Sequence, residues 1–152
     1  MGRTRRKLVW GTTNFSQAVP AAQNAVLDLT GSFSSTIGFT VIRTHAVLQV
    51  PFVAGTDTSL IGFIIGRQTD VGVGIAHSPD PFNEPELDWM LQYRCYADTN
   101  GATVNTLRQV MIDLRSKRKM DELAQRYVIS LHNGNAAAAT YQGYIRTLYA
   151  LP

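Results

Sequence analysis

The residues of this chain that could do chemistry by type are three histidines, one cysteine, a short acidic cluster and two basic clusters. His45, His77 and His132 would need HxxxH or HExxH spacing, or convergence in the fold, to hold a metal or to act as an acid–base pair. They fall instead on a predicted strand, in a loop and at a strand end, so each reads as an ordinary surface or core histidine. Cys95 has no CxxC partner and lies in an apolar, aromatic segment, which favours an inert buried thiol over a nucleophile. A single cysteine also excludes an internal disulfide, which is compatible with a reducing compartment. No serine sits in GxSxG. Gly72-Val73-Gly74 lacks the third glycine and following helix of a dinucleotide loop, and no GK[ST] exists for a phosphate loop. Asp80, Glu84, Glu86 and Asp88 form an acidic patch with no base among them. Clustered oxygens suit a hard cation such as calcium, but the spacing is not that of an EF-hand loop, and a solvated acidic loop is the stronger reading. These residues predict no catalytic centre, no metal and no cofactor, and a chain that is not an enzyme.

The basic residues are distributed unevenly. Arg3, Arg5, Arg6 and Lys7 supply four of the fourteen basic residues, leaving ten against eleven acidic ones. The body is therefore close to neutral, and the net charge of +3 comes from the N-terminal arm. A basic arm on a near-neutral body points to nucleic acid or another anionic surface, where affinity comes from counterion release and needs no fixed geometry. Arg115, Lys117, Arg118 and Lys119 form the second cluster. Phosphate is one partner for it. The other is a subunit contact in which this cluster meets the acidic Asp80, Glu84, Glu86 and Asp88 segment of a neighbouring copy, since one patch of each sign suits head-to-tail closure. Aromatic residues near the arm are few, so base stacking is not expected there.

The elements that must carry these residues read as strands. Leu107 to Leu131 holds the densest internal charge. Val110, Ile112 and Leu114 alternate with Met111, Asp113 and Arg115, and Tyr127, Ile129 and Leu131 alternate with Val128, Ser130 and His132. Period-2 alternation marks a strand with one buried face. The expectation is a hairpin of two strands joined by a charged connection, Ser116 to Gln125, with a helical turn over Met120–Ala124. A rival reading stays open, because Leu107, Val110, Met111 and Leu114 also sit at helical spacing. Lys117 and Arg118 would interrupt the apolar stripe of such a helix.

Elsewhere, Lys7 to Trp10 is a short extended lead-in with Trp10 anchoring the arm to the body, and Thr12 to Asn24 is loop-like. Strands are predicted over Ala25–Leu29, Gly38–Val53, Leu60–Arg67, Asp88–Tyr96 and Thr140–Leu151. Pro51 cannot donate to a ladder, so pairing should end or move to an edge there. Thr69 to Pro85 is irregular, and Asn133-Gly134-Asn135 is a turn. Seven or eight short strands with turns between them indicate a single-domain, all-β antiparallel β-sandwich. An eight-stranded jelly roll fits the spacing, with residues 1–9 as the basic N-terminal arm and 10–152 as the sandwich.

At 45% hydrophobic and 16% charged, 152 residues are enough to bury a core. The N-terminus has charge but no apolar run of signal-peptide length, Arg6 stands where a myristoylation signal wants Ser or Thr, and the apolar run Leu60 to Ile65 is too short to span a bilayer. The Asn14-Phe15-Ser16 sequon is expected to be a chance match.

The order of features, a basic arm leading directly into one domain of many strands, resembles the small single-jelly-roll capsid proteins of viruses. RTRRKLVW at the start, DWM at 88–90, IDLRSKRKMDEL at 112–123 and LYALP at the end also look like small proteins from phage and viral metagenomes, and the order of features is similar to that of phage virion structural proteins. The resemblance implies a capsid subunit that self-assembles with copies of itself into an icosahedral shell, in a virion put together inside the host cell. Its arm, Arg3, Arg5, Arg6 and Lys7, would face packaged nucleic acid, with no membrane or small-molecule substrate involved. The alternative it implies is a phage head-decoration or head–tail protein that binds a preformed capsid without touching the genome.

Overall fold

Eight strands make up the fold, in a computed structural model that describes residues 6–29, 39–52, 59–67, 88–95, 106–120, 125–134 and 137–151. They are β1 (Leu8–Val19), β2 (Asn24–Asp28), β3 (Thr40–Phe52), β4 (Ser59–Arg67), β5 (Asp88–Cys95), β6 (Thr106–Lys119), β7 (Gln125–His132) and β8 (Ala139–Ala150). All pairings are antiparallel, and among the described residues there is no helix. The first sheet has the order β1-β8-β3-β6 and the second β2-β7-β4-β5. The all-β sandwich expected from sequence is therefore present, and strands occupy the ends of the 107–131 stretch where a helix was the rival. Residues 121–124 of the expected helical turn, and Gly72, Gly74 and His77, lie outside the described residues.

Three features differ from the sequence reading. First, Leu8–Val19 is a continuous strand paired with β8 over its whole length, although Thr12 to Asn24 reads as loop. Its exposed residues alternate with half-buried ones because one face of this edge strand lies in water. Leu8 and Val9, assigned to the arm by sequence, belong to this strand. Second, β6 and β7 do not form a hairpin. The first pairs with β3 in one sheet, the second with β2 and β4 in the other, so the chain crosses the sandwich between them. The cluster Arg115–Lys119 consequently extends β6 and is not the connection. Third, β3 does not keep strict alternation. Its registers against β6 and β8 both shift between Val41 and Arg43. A bulge changes which face the following residues take, so Val41 points inward with Thr44, Ala46, Leu48 and Val50, while Arg43, His45 and Val47 point outward.

Pro51 behaves as its missing N–H requires. The β3–β8 ladder ends at Gln49, and Pro51 pairs only with Leu107 of β6. The core lies between the sheets and includes Val41, Leu48, Ile61, Phe63, Ile129 and Ile145, together with three fully buried tyrosines, Tyr127, Tyr141 and Tyr149. A buried phenol must find a polar partner. Tyr149 Oη donates to the Leu29 carbonyl at 3.1 Å, and Tyr141 Oη donates to the His132 carbonyl at 3.1 Å. Both bonds run from β8 in the first sheet to the region of β2 and β7, so the hydroxyls fasten one sheet to the other. At the end of β7, the Asn133 amide donates to the carbonyls of Val19 (2.9 Å), Pro20 (3.2 Å) and Ala137 (2.9 Å), joining the two turns of that end.

Candidate functional site

The registers of the first sheet place its outward residues in cross-strand rows. Trp10, Leu148, Arg43 and Arg115 form one row, from β1 through β8 and β3 to β6. Thr12, Arg146, His45 and Asp113 form the next, followed by Asn14, Tyr144, Val47 and Met111. Outward alternation on all four strands gathers side chains that lie far apart in sequence.

Within this face, Arg43 makes a two-pronged ion pair with Asp113, Nε to Oδ1 at 2.7 Å and Nη2 to Oδ2 at 2.9 Å. That hydrogen bond above all, with the charges of Arg43, Arg115 and His45 adding to it, holds the Asp113 carboxyl below its usual range against the opposing effect of desolvation. The guanidinium of Arg146 lies over the Trp10 ring, 4.9 Å from its centroid. His45 and Tyr144 are tilted neighbours at 6.3 Å. Two open depressions flank Arg43. One, of about 560 Å³, is lined by Ile42, Arg43, Arg115, Ser116, Lys117 and Leu148. The other, of about 260 Å³, is lined by Trp10, Arg43, His45 and Arg146.

The two sheets differ sharply in charge and cover. The strands of the first carry Arg43, Arg108, Arg115, Lys117, Arg118, Lys119 and Arg146 against one acid, Asp113. The strands of the second carry Arg67, Arg94 and Arg126 against Asp28 and Asp88. In the second sheet, Ile64 and Val128 and Ser130 on the side away from the core are as buried as Phe63, Ile129 and Leu131 on the core side. Half exposure of Val128 and Ser130, expected from their alternation, is thus absent. The large hydrophobic side chains that are exposed among the described residues are Leu8 (57%), Trp10 (44%), Met111 (70%) and Tyr144 (38%), and all four lie on the outer face of the first sheet. Trp10 does not serve as a buried anchor.

The residues singled out from sequence fall as follows. Arg6 and Lys7 immediately precede β1, and the Lys7 carbonyl accepts from Leu151 N–H at 2.8 Å, tying the base of the arm to the end of β8. Arg3 and Arg5 lie outside the described residues, as do Asp80, Glu84 and Glu86, while Asp88 begins β5. Arg115, Lys117, Arg118 and Lys119 are exposed on β6. One cross-strand row, Leu8, Ala150, Thr40 and Lys119, joins the start of β1 to the end of β6. The base of the arm and the second basic cluster therefore lie at the same end of one sheet, on its opposite edges, about 14 Å apart at three strand spacings. Sequence reading treated these clusters as separate and missed Arg43, Arg146 and Trp10. No local spacing links those residues, and only the β1–β8–β3 register does. Among the described residues, no group of three or more His, Cys, Asp or Glu comes together in a way that could hold a metal ion.

No protein-family model matches the chain, and no curated protein sequence matches it. Among solved structures, the chain is similar to the VP2 subviral particle of infectious bursal disease virus, with 8% identity, TM-score 0.37, and coverage of 97% of this chain and 33% of that one. A D431N mutant VP2 of the same virus, in T=1 particles, gives 7% identity, TM-score 0.38, and coverage of 97% and 32%. The structure of the virus's Gt strain gives 6%, 0.38, 97% and 34%. The chain spans about a third of the length of each.

Proposed function

We propose that this chain is a virion structural protein, a jelly-roll subunit that assembles with copies of itself into an icosahedral shell and turns its basic N-terminal arm toward packaged nucleic acid. What carries the reading is the strand order, β1-β8-β3-β6 facing β2-β7-β4-β5, entered by a basic segment directly at the edge strand β1. Two interleaved Greek keys produce this order, and jelly rolls built that way are common in capsid shells, as well as in lectins and cupins. Since fold alone does not assign function, the arm and the open, charged face of one sheet supply the remaining support. The mechanism is passive. Sheet edges and loops bury against neighbouring copies, and arm cations offset repulsion between packed phosphates.

The test is to express the chain alone and examine it by size-exclusion chromatography and electron microscopy. Closed shells of uniform size are expected, and a stable monomer or trimer overturns the reading. Deleting residues 2–7 should lower the nucleic acid that co-purifies. Unchanged absorbance at 260 nm after the deletion overturns the role of Arg3, Arg5, Arg6 and Lys7.

A further inference from the structure

We propose that the open face of β1-β8-β3-β6 is itself a binding surface for single-stranded nucleic acid. Phosphates would lie on Arg43, Arg115, Lys117 and Arg146, and a base would stack at Trp10. The proposal deepens the shell reading, on which it rests, by giving the subunit an orientation: this sheet faces the genome and the second sheet faces away.

Four observations converge. The outward positions of this sheet carry Arg43, Arg115, Lys117, Lys119 and Arg146 against one acidic residue, Asp113. This face is solvent-exposed, while Ile64, Val128 and Ser130 on the far side of the second sheet are buried. The arm leaves the sheet at the end where Lys119 lies, so the arm and the basic end of β6 share one end of this sheet. Finally, the cations are interleaved with exposed rings, Trp10 and Tyr144. A positive groove with aromatic platforms is the recurrent design for sequence-tolerant single-strand binding, because every base offers a π-face and every nucleotide a phosphate.

The face has a direction. Arg115 and Lys117 line the larger depression, Arg43 separates it from the smaller one, and Arg146 with Trp10 closes the far side. A strand following it crosses β6, β3, β8 and β1 in turn. Arg43 is held in place by Asp113, so its position costs little to fix on binding, and Arg146 is held over Trp10. Duplex DNA fits less well, since its bases are stacked within the helix and cannot stack on the Trp10 ring. An acidic segment of a neighbouring copy would satisfy the cations but not the ring.

The experiment uses the full chain and a fluorescein-labelled oligothymidylate, followed by anisotropy over a salt series. Arg115→Gln with Lys117→Gln should weaken binding and reduce the slope of log K against log salt by about 1.4, at about 0.7 per lost phosphate contact. In a Trp89→Phe background Trp10 is the sole tryptophan, and its emission should be quenched by oligothymidylate but not by heparin, a polyanion without bases. Wild-type affinity and slope in the double variant, or no selective quenching, overturn the inference. If the double variant loses assembly while its oligothymidylate binding is unchanged, the cluster is a subunit contact and the inference also fails. In either case shells formed by the wild-type chain leave the capsid reading standing, whereas absence of shells sinks that reading independently.

Discussion

The hydroxyl oxygens of Thr44 and Tyr127 lie 2.6 Å apart at the centre of the sandwich, one from β3 in the first sheet and one from β7 in the second. Both side chains are fully buried, so each hydroxyl gives the other a hydrogen-bond partner away from water. Burial pushes the Tyr127 phenol well above its usual range, and the hydrogen bond to Thr44 offsets only part of that effect. Tyr127 therefore stays protonated at any pH the protein meets. Tyr127→Phe keeps the ring against Phe63, 6.0 Å away, but strands the Thr44 hydroxyl. The expected loss is about 1–3 kcal/mol by urea unfolding. Adding Thr44→Val should recover part of it, because removing both polar groups removes the stranded donor. A double variant that is additively destabilised would contradict the pairing.

Asn133 does at one end of the sandwich what the tyrosines do in its interior. Its amide serves three carbonyls, one at the end of β1, one in the turn after it and one before β8. Its own N–H donates to the Gln23 carbonyl at 3.0 Å. Asn133→Ala leaves those carbonyls without the amide, at a cost of about 1–3 kcal/mol. Asn133→Asp should be comparably damaging despite its shape, because a carboxylate turned toward carbonyls repels them. Faster amide exchange at Gln23 and in the turn at Pro20–Gln23, with β4 unaffected, is the local signature to look for.

Much of the fold was legible because its strands bury one face and expose the other. The alternations in β6 and β8, and the restriction at Pro51, came through for that reason. β1 did not, since Gly11, Asn14 and Ser16 carry little strand signal and the strand exists through its twelve-residue pairing with β8. The break at Ile42 was hidden too. Val-Ile-Arg-Thr has nothing that marks a bulge, and the shift arises from register against β6 and β8 together. Adjacent strands in sequence suggested a β6–β7 hairpin, but these two lie in different sheets, as consecutive strands do here except at β4–β5. The candidate site suffered from the same non-locality. Arg43, Arg146 and Trp10 are separated by dozens of residues, and pairing alone makes them neighbours.

Gly143 tests the centre of the first sheet. It sits in β8 between Phe15 of β1 and Leu48 of β3, with φ at 154°. A Cβ there would collide with the Val47 carbonyl oxygen and approach Leu48 Cα to 3.0 Å. Both obstacles are backbone, so neither can yield without opening the β3–β8 ladder. Gly143→Ala is expected to cost at least about 3 kcal/mol, or to give insoluble chain. Near-wild-type stability would show that the ladder does not approach so closely.

The Arg43–Asp113 pair should leave a signature in acid. Because Asp113 titrates below its unfolded range, through the Arg43 hydrogen bond first, its contribution is present above the unfolded value and lost as pH falls through the folded one. Asp113→Asn should therefore melt below wild type at neutral pH and converge with it in acid. The gap should be small, since both groups are solvent-exposed. Curves that stay parallel to the lowest accessible pH would show that the pair contributes nothing through charge.

His132 governs the neighbouring pH window with a different cause. Its Nδ1–H donates to the Asn24 side-chain oxygen, linking β7 to β2, and the half-buried ring is lowered in pKa by desolvation. The protonated ring keeps the same donor, so the hydrogen bond does not resist protonation, and the penalty is that of placing a charge where water is scarce. The unfolded chain then binds the proton more readily than the folded one, and stability rises with pH across the transition. It is fully present above about 6.5, the unfolded value, and declines as pH falls toward the folded one. His132→Gln retains an amide donor for Asn24 without a titrating group. Its melting temperature should fall less than that of wild type between neutral pH and the onset of carboxylate protonation. If both proteins lose stability equally over that interval, His132 is not the group responsible, and the charged imidazole is tolerated at the β2–β7 edge.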